Sequence, residues 1–160
     1  MKTAVFAGSF DPFTFAHQNI VERGLSLFDK VVIAVGVNSS KKGLMPFEDR
    51  VEAIASLFHA HERVVVTQFS GLTVEFCKEI GAQYLLRGLR NTTDFEFENA
   101  IAQNNLLLDP EIETYFLMAQ SGLAHISSTI VRDILHHQGD VSALVPKAVL
   151  KYITGSSHPG

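Results

Sequence analysis

Gly8-Ser9-Phe10-Asp11-Pro12-Phe13-Thr14-Phe15-Ala16-His17 decides how this chain folds, because it joins an apolar run to a helical pattern through a single turn. Before it, Thr3-Ala4-Val5-Phe6-Ala7 predicts a short buried strand. After it, Ile20, Val21, Gly24, Leu25 and Phe28 keep a helical spacing. Gly8 would let the backbone approach a ligand closely, Asp11-Pro12 turns the chain, and Thr14 is placed to cap the helix. His17 then falls in the first helical turn, where free N–H groups and the helix dipole favour an anion. A hydroxyl (Ser9), a glycine and an imidazole converging on a helix start suit a polyphosphate. The competing reading is an ordinary strand-to-helix turn with a surface histidine.

Outward from this turn, strand and helix patterns alternate to the end of the chain. Val31-Val32-Ile33-Ala34-Val35-Gly36-Val37 is a continuous apolar run, as in a strand covered on both faces. Val51, Ile54, Ala55 and Phe58 mark a helix, Val64-Val65-Val66 a third strand, and Thr73–Ile80 a second such helix. Tyr84-Leu85-Leu86 predicts a fourth strand, and Asp94 is expected to cap a helix carrying Phe97, Ile101, Asn104 and Leu108. Thr114-Tyr115-Phe116-Leu117-Met118 gives a fifth strand, Val131, Ile134 and Leu135 another helix, and Pro146 opens a terminal one. The pattern predicts an α/β fold: a Rossmann-like, doubly wound, five-stranded parallel sheet in a single domain. The domain is expected over residues 1–154, with 155–160 as a flexible C-terminal tail.

Composition narrows the class of partner. With 46% hydrophobic and 19% charged residues in 160, the chain is globular. Its formal net charge of −4 argues against sequence-independent nucleic-acid binding. No apolar run approaches the ~20 residues of a membrane span, and no signal-peptide layout is present. The single cysteine, Cys77, shares a stripe with Thr73, Phe76 and Ile80 and reads as core packing in a reducing, cytoplasmic setting.

In such sheets ligands bind beyond the carboxyl ends of the strands, where strand order reverses. The loops at that edge carry cations and hydroxyls. They are Gly8–His17, Asn38-Ser39-Ser40-Lys41-Lys42-Gly43, Arg87-Gly88-Leu89-Arg90-Asn91, and Ser121–Arg132 with His125-Ile126-Ser127-Ser128-Thr129. Arg87 is expected to end its strand and, with Arg90, to offer planar forks to phosphate, Gly88 allowing close approach. Lys41 and Lys42 are either solvated loop charges or a mobile point charge beside an anionic substrate. Ser127-Ser128-Thr129 supplies a helix cap and more hydroxyls than capping needs. Asp94, Glu96 and Glu98 either complement a helix dipole or, for Glu98, accept a hydrogen bond from substrate.

No G-x-G-x-x-G fingerprint, G-x-x-x-x-G-K-[ST] loop, G-x-S-x-G elbow or metal-ligand spacing occurs, and no protein-held metal is expected. The motifs that do occur carry a resemblance. Gly8–His17 resembles the T/H-x-G-H signature of the nucleotidyltransferase superfamily, and Ile126-Ser127-Ser128-Thr129-Ile130-Val131-Arg132 its second signature. Within it, the chain is similar to the bacterial phosphopantetheine adenylyltransferases at four places. These are Ser40-Lys41-Lys42, Arg87-Gly88-Leu89-Arg90, Asp94-Phe95-Glu96-Phe97-Glu98 and His137-Gln138-Gly139-Asp140-Val141, and the likeness runs from Met1 to Ile153.

That resemblance implies transfer of AMP from ATP to 4′-phosphopantetheine, giving dephospho-coenzyme A and pyrophosphate. It also implies Mg2+ brought with ATP, coenzyme A as an inhibitor, and a homohexamer. By position, Ser9, Lys41, Thr73 and Arg87 would contact phosphopantetheine. Ser9, Phe10, His17, Gly88, Leu89, Arg90 and Glu98 would surround ATP, together with Leu123, Ala124, His125, Ile126, Ser127, Ser128 and Thr129. His17, Lys41, Arg90 and Ser9 would be catalytic. There are three departures from the family pattern: Ala16 stands for glycine, Ser9 for threonine, and Leu123 with His125 for residues that are often aromatic. Two other readings stay open on the residues alone. One is a sibling enzyme using nicotinamide mononucleotide or glycerol 3-phosphate, and the other a non-catalytic ATP-binding module.

Overall fold

The first strand, β1 (Thr3–Gly8), is buried on both faces, and its alternation divides the molecule. Ala4 and Phe6 point to one side, where Ile20, Val21, Ile54 and Val149 meet them in the larger core. Val5 and Ala7 point to the other and pack with Val74, Cys77 and Ile112. The same period of two places Val31, Ile33 and Val35 in the first core and Val32 and Ala34 in the second. Two apolar faces on one sheet require helices on both sides.

The structure, a computed structural model, describes residues 1–156. After β1 come α1 (Phe15–Gly24), β2 (Lys30–Gly36), α2 (Phe47–Leu57), β3 (Val64–Phe69) and α3 (Thr73–Ile80). Then follow β4 (Tyr84–Leu89), α4 (Thr92–Leu108), β5 (Glu113–Met118), α5 (Ser128–His136) and α6 (Lys147–Ser156). All five strands are parallel, in the order β3-β2-β1-β4-β5. The expected doubly wound single domain is therefore present. Gly155 and Ser156, where a tail was expected, belong to α6, and the remainder of that tail, 157–160, lies outside the described residues.

Two local expectations are corrected. Asp94 does not cap α4; Asn91 does, its side chain accepting the Asp94 N–H at 2.8 Å. Both residues are good caps, but Asp94 is drawn off by Arg90. Nor does Arg87 end its strand: β4 runs on to Leu89, held by parallel pairing with β5 through Leu89 and Met118. Cys77 is fully buried as expected, and burial pushes its thiol up to about 11.

Candidate active site

The strand order reverses between β1 and β4, and there the sheet opens. β1 stays paired with β2 as far as Gly8 and Val35. With β4 it pairs only at Ala4–Tyr84 and Val5–Leu85. Beyond that point the two strands part, leaving a cleft of about 280 Å³ bordered by the Gly8–His17 turn, the end of β4 and the loop after β5. A second cavity of about 250 Å³, lined by Gly36, Phe69, Thr73, Ile101 and Asn105, lies alongside. Arg87 and Glu98 border both.

The first wall is built by the turn itself. Thr14 caps α1 as expected: its hydroxyl accepts the His17 N–H, while Nδ1 of His17 accepts the Thr14 N–H at 2.9 Å. That bond occupies Nδ1 as an acceptor, so the ring proton resides on Nε2. Phe6, Phe10 and Phe13 surround the imidazole with centroids 5.1 to 6.1 Å away. Burial among these rings, with the charges of Arg87 and Arg90 adding to it, pushes the His17 pKa down from 6.5 to about 3. His17 is thus a neutral N–H donor.

Phe10 takes a left-handed backbone (φ 46°), uncommon outside glycine, and folds its ring back over Gly8. A Cβ at Gly8 would stand 3.1 Å from that ring, so the bare glycine makes room for Phe10 at the border of both cavities. Gly88 is similar: a Cβ there would lie 3.0 Å from Ile20 Cγ1, and its bareness lets α1 pack close against β4.

The second wall is charged. Arg87 donates from Nε to Glu98 Oε2 at 2.9 Å, from Nη2 to Oε1 at 2.6 Å, and from Nη1 to the Ala7 carbonyl across the parted strands. Arg90 forms a comparable fork with Asp94, Nε to Oδ2 at 2.9 Å and Nη2 to Oδ1 at 3.1 Å. The contact holds the Asp94 carboxyl below its usual range. Each cleft arginine therefore has a carboxylate seated in its fork.

The third wall is the start of α5, where the hydroxyl run divides its work. Ser127 caps the helix, accepting the Ile130 N–H at 3.2 Å. Ser128 donates to the Pro12 carbonyl at 2.8 Å, and Thr129 accepts from Arg132 at 3.3 Å. Arg132 also donates to the Asp11 carbonyl at 2.8 Å, so the two signature motifs are stitched together.

The structure gathers Ser9, Phe10, His17, Gly88, Leu89, Arg90, Glu98, Leu123, Ile126, Ser127 and Ser128 around the main cleft, and Thr73 with Arg87 at the second cavity. It does not bring in Lys41, exposed on the loop after β2, nor Ala124, His125 and Thr129, exposed outside the cleft wall. Glu98, one of whose readings was a substrate acceptor, is taken up by Arg87. Residues not foreseen include Asn19, which borders the cleft and donates to Gln120 at 2.8 Å, tethering the loop after β5. Arg23 supports the same loop through the Met118 carbonyl at 2.7 Å. Among the described residues no group of three or more His, Cys, Asp or Glu side chains converges as if on a metal.

Comparison with known proteins agrees with this geometry. Residues 5–134, which hold both signatures and every cleft wall, match the cytidylyltransferase-like family. A phosphopantetheine adenylyltransferase of Cytophaga hutchinsonii is 51% identical over 145 residues, 91% of this chain and 97% of its own. The chain belongs to the phosphopantetheine adenylyltransferase family. Its counterpart in Christiangramia forsetii is 48% identical over 151 residues, covering 94% of this chain and 99% of the relative, and that of Geotalea daltonii 42% identical with 94% of each covered.

Proposed function

We propose that this protein transfers AMP from ATP to 4′-phosphopantetheine, giving dephospho-coenzyme A and pyrophosphate. The observation that carries this reading is the pair of adjoining cavities that share Arg87. ATP fits the main cleft with its two arginines and helix start, the pantetheine arm fits the more apolar cavity, and the acceptor phosphate meets the nucleotide where the two join.

The acceptor phosphate is already an anionic nucleophile at neutral pH, so the site needs no strong base. One of its oxygens bonds to the α-phosphorus of ATP. The bond from that phosphorus to the bridging oxygen breaks, and pyrophosphate leaves with the electron pair. Catalysis is then positioning and charge stabilisation. His17, neutral with its proton on Nε2, donates to a non-bridging α-phosphate oxygen. Arg90 and the N–H groups at the start of α5 hold the β- and γ-phosphates. Arg87, Ser9 and Thr73 hold the acceptor, with Lys41 as a mobile point charge from the loop after β2. Phe10, Leu89, Leu123 and Ile126 enclose the nucleoside. ATP enters as its magnesium complex. Asp94 and Glu98, the carboxylates at the cleft, are each engaged by an arginine, so a magnesium ion brought with ATP would be held mainly by the nucleotide and would supply charge neutralisation.

The assignment extends to the setting. No helix among the described residues is long and apolar enough to cross a membrane. We assign the enzyme to the cytoplasm, as fits a soluble substrate pair, with coenzyme A, which carries the same pantetheine arm, as an inhibitor. We assign a homohexamer as its assembly; the apolar residues left bare on α4 and β5, among them Phe97 at 68% and Leu107 at 82% exposure, favour an interface there without fixing the number of subunits.

The test is to supply ATP, magnesium and 4′-phosphopantetheine and to follow dephospho-coenzyme A by mass and pyrophosphate by a coupled assay. The reading requires both products, and neither nicotinamide mononucleotide nor glycerol 3-phosphate should replace the acceptor. Product with one of those instead, or ATP binding without pyrophosphate release, would overturn it.

A further inference from the structure

Arg50 and Asp11 are charged, yet they are 3% and 4% exposed. Burying such a pair is costly unless nearly every polar atom finds a partner, and here they do. Asp11 Oδ1 accepts the Met45 N–H at 2.9 Å and Oδ2 the Leu44 N–H at 2.8 Å. Arg50 Nη2 lies 3.4 Å from Asp11 Oδ2. Arg50 Nε donates to the Met45 carbonyl at 3.0 Å and Nη1 to the Ser9 carbonyl at 3.0 Å. The guanidinium stands 4.3 Å from the centre of the Phe47 ring.

These bonds join two segments at the ligand edge to each other and to α2, which carries Arg50. One is the Ser9–Asp11 turn, which includes the left-handed Phe10; the other is the loop that carries Lys41, at its Leu44–Met45 root. Gly43 sits over the junction, where a Cβ would overlap both the Arg50 guanidinium and the Asp11 carboxylate.

We propose that Asp11 and Arg50 are positioning residues: a buried brace that fixes the Ser9 turn against the root of the Lys41 loop and thereby sets the acceptor-phosphate site. This deepens the proposed reaction and rests on it for the identity of the acceptor. The side chains of the pair touch the turn and the root of the loop, whereas α5 is met through the Asp11 main-chain carbonyl, which accepts from Arg132, so acceptor use depends on the brace more than ATP use does.

The test uses the full chain with Asp11→Asn, Arg50→Lys and Gly43→Ala. The last keeps both charges and crowds the junction. Saturation curves for each substrate are paired with hydrogen exchange at the Leu44 and Met45 amides. The brace predicts kcat/KM for the acceptor falling on the order of tenfold or more, as small misplacements of reacting groups do. The KM for ATP should stay within about threefold of wild type, and exchange should quicken at Leu44 and Met45 but not in β1 or β4. Equal losses on both substrates, or unchanged acceptor kinetics in soluble variants, would overturn it. Should Asp11→Asn fail to fold, Gly43→Ala and Arg50→Lys decide alone. An inactive wild-type enzyme would instead defeat the reaction assignment. The exchange measurement would then still judge the brace: quickening confined to Leu44 and Met45 supports it, and unchanged or sheet-wide exchange sinks it.

Discussion

The two principal walls of the cleft reach the same end by different means. On the α1 side, His17 is fixed before any substrate arrives: its Nδ1 is bonded, its ring is caged by phenylalanines, and its charge is suppressed. On the β4 side, Arg87 and Arg90 are each gripped by a carboxylate, Glu98 and Asp94. The first wall is a fixed neutral donor, while the second is built from opposed charges. A neutral donor that need not move suits the centre where charge develops in the transition state. Arginines held by carboxylates suit groups whose direction must be set.

The largest effect expected from this contrast is on turnover. His17→Ala should lower kcat on the order of 10²–10³-fold, as removal of a well-aimed oxyanion donor does, with KM for both substrates little changed. Steady-state kinetics checks it, and near-normal turnover would take His17 out of the reaction. Next come the two ion pairs. Glu98→Gln, at the better-buried pair, should cost about 1–3 kcal/mol of stability because the Arg87 guanidinium is left undersatisfied. Asp94→Asn, at the more open pair, should cost less than about 1 kcal/mol. Urea denaturation of both variants compares them, and equal costs would erase the distinction between the pairs.

A smaller effect lies in pH dependence. His17 is held near 3 in the folded protein against an ordinary 6.5. As pH falls from 6.5 toward 3, the unfolded chain takes up a proton there that the folded chain refuses, so stability drops. His17→Gln should flatten that part of a plot of urea midpoint against pH. For the same reason His17 should contribute no inflection near pH 6.5 to kcat. An inflection that vanishes in His17→Gln would show that the ring titrates after all.

How far the sequence revealed these features depended on what kind of partner each residue had. The strands were legible because runs such as Val31–Val35 are apolar on both faces, a demand only a covered parallel sheet meets. Thr14, His17 and Ser127 were legible because caps and helix starts are local. The occupation of the arginine forks was not, since nothing in Arg87 and Glu98, eleven positions apart, says that they meet across the opening of the sheet. The end of β4 was misplaced for a related reason: pairing with β5 carries Arg87 and Gly88 into the strand despite their poor strand character. Arg50 did leave a signal. It shares a helical stripe with Phe47, Ile54 and Leu57, and a charge on such a stripe calls for a buried carboxylate. On α4, Phe97 and Ile101 signalled a helix but not that the sheet would leave them bare, because periodicity does not distinguish a core from a second chain.

The most direct measurement is a pair of saturation curves, one per substrate, for Arg87→Ala and Arg90→Ala. Arg87 borders both cavities and Arg90 only the main cleft. Arg87→Ala should therefore raise KM for 4′-phosphopantetheine, and Arg90→Ala that for ATP. A lost charged hydrogen bond is worth ~1.5–3 kcal/mol, roughly ten- to hundredfold. Lysine should rescue either poorly, because a point charge cannot reproduce a two-pronged contact. Equal effects of both substitutions on both substrates would contradict the arrangement of acceptor and nucleotide on either side of Arg87.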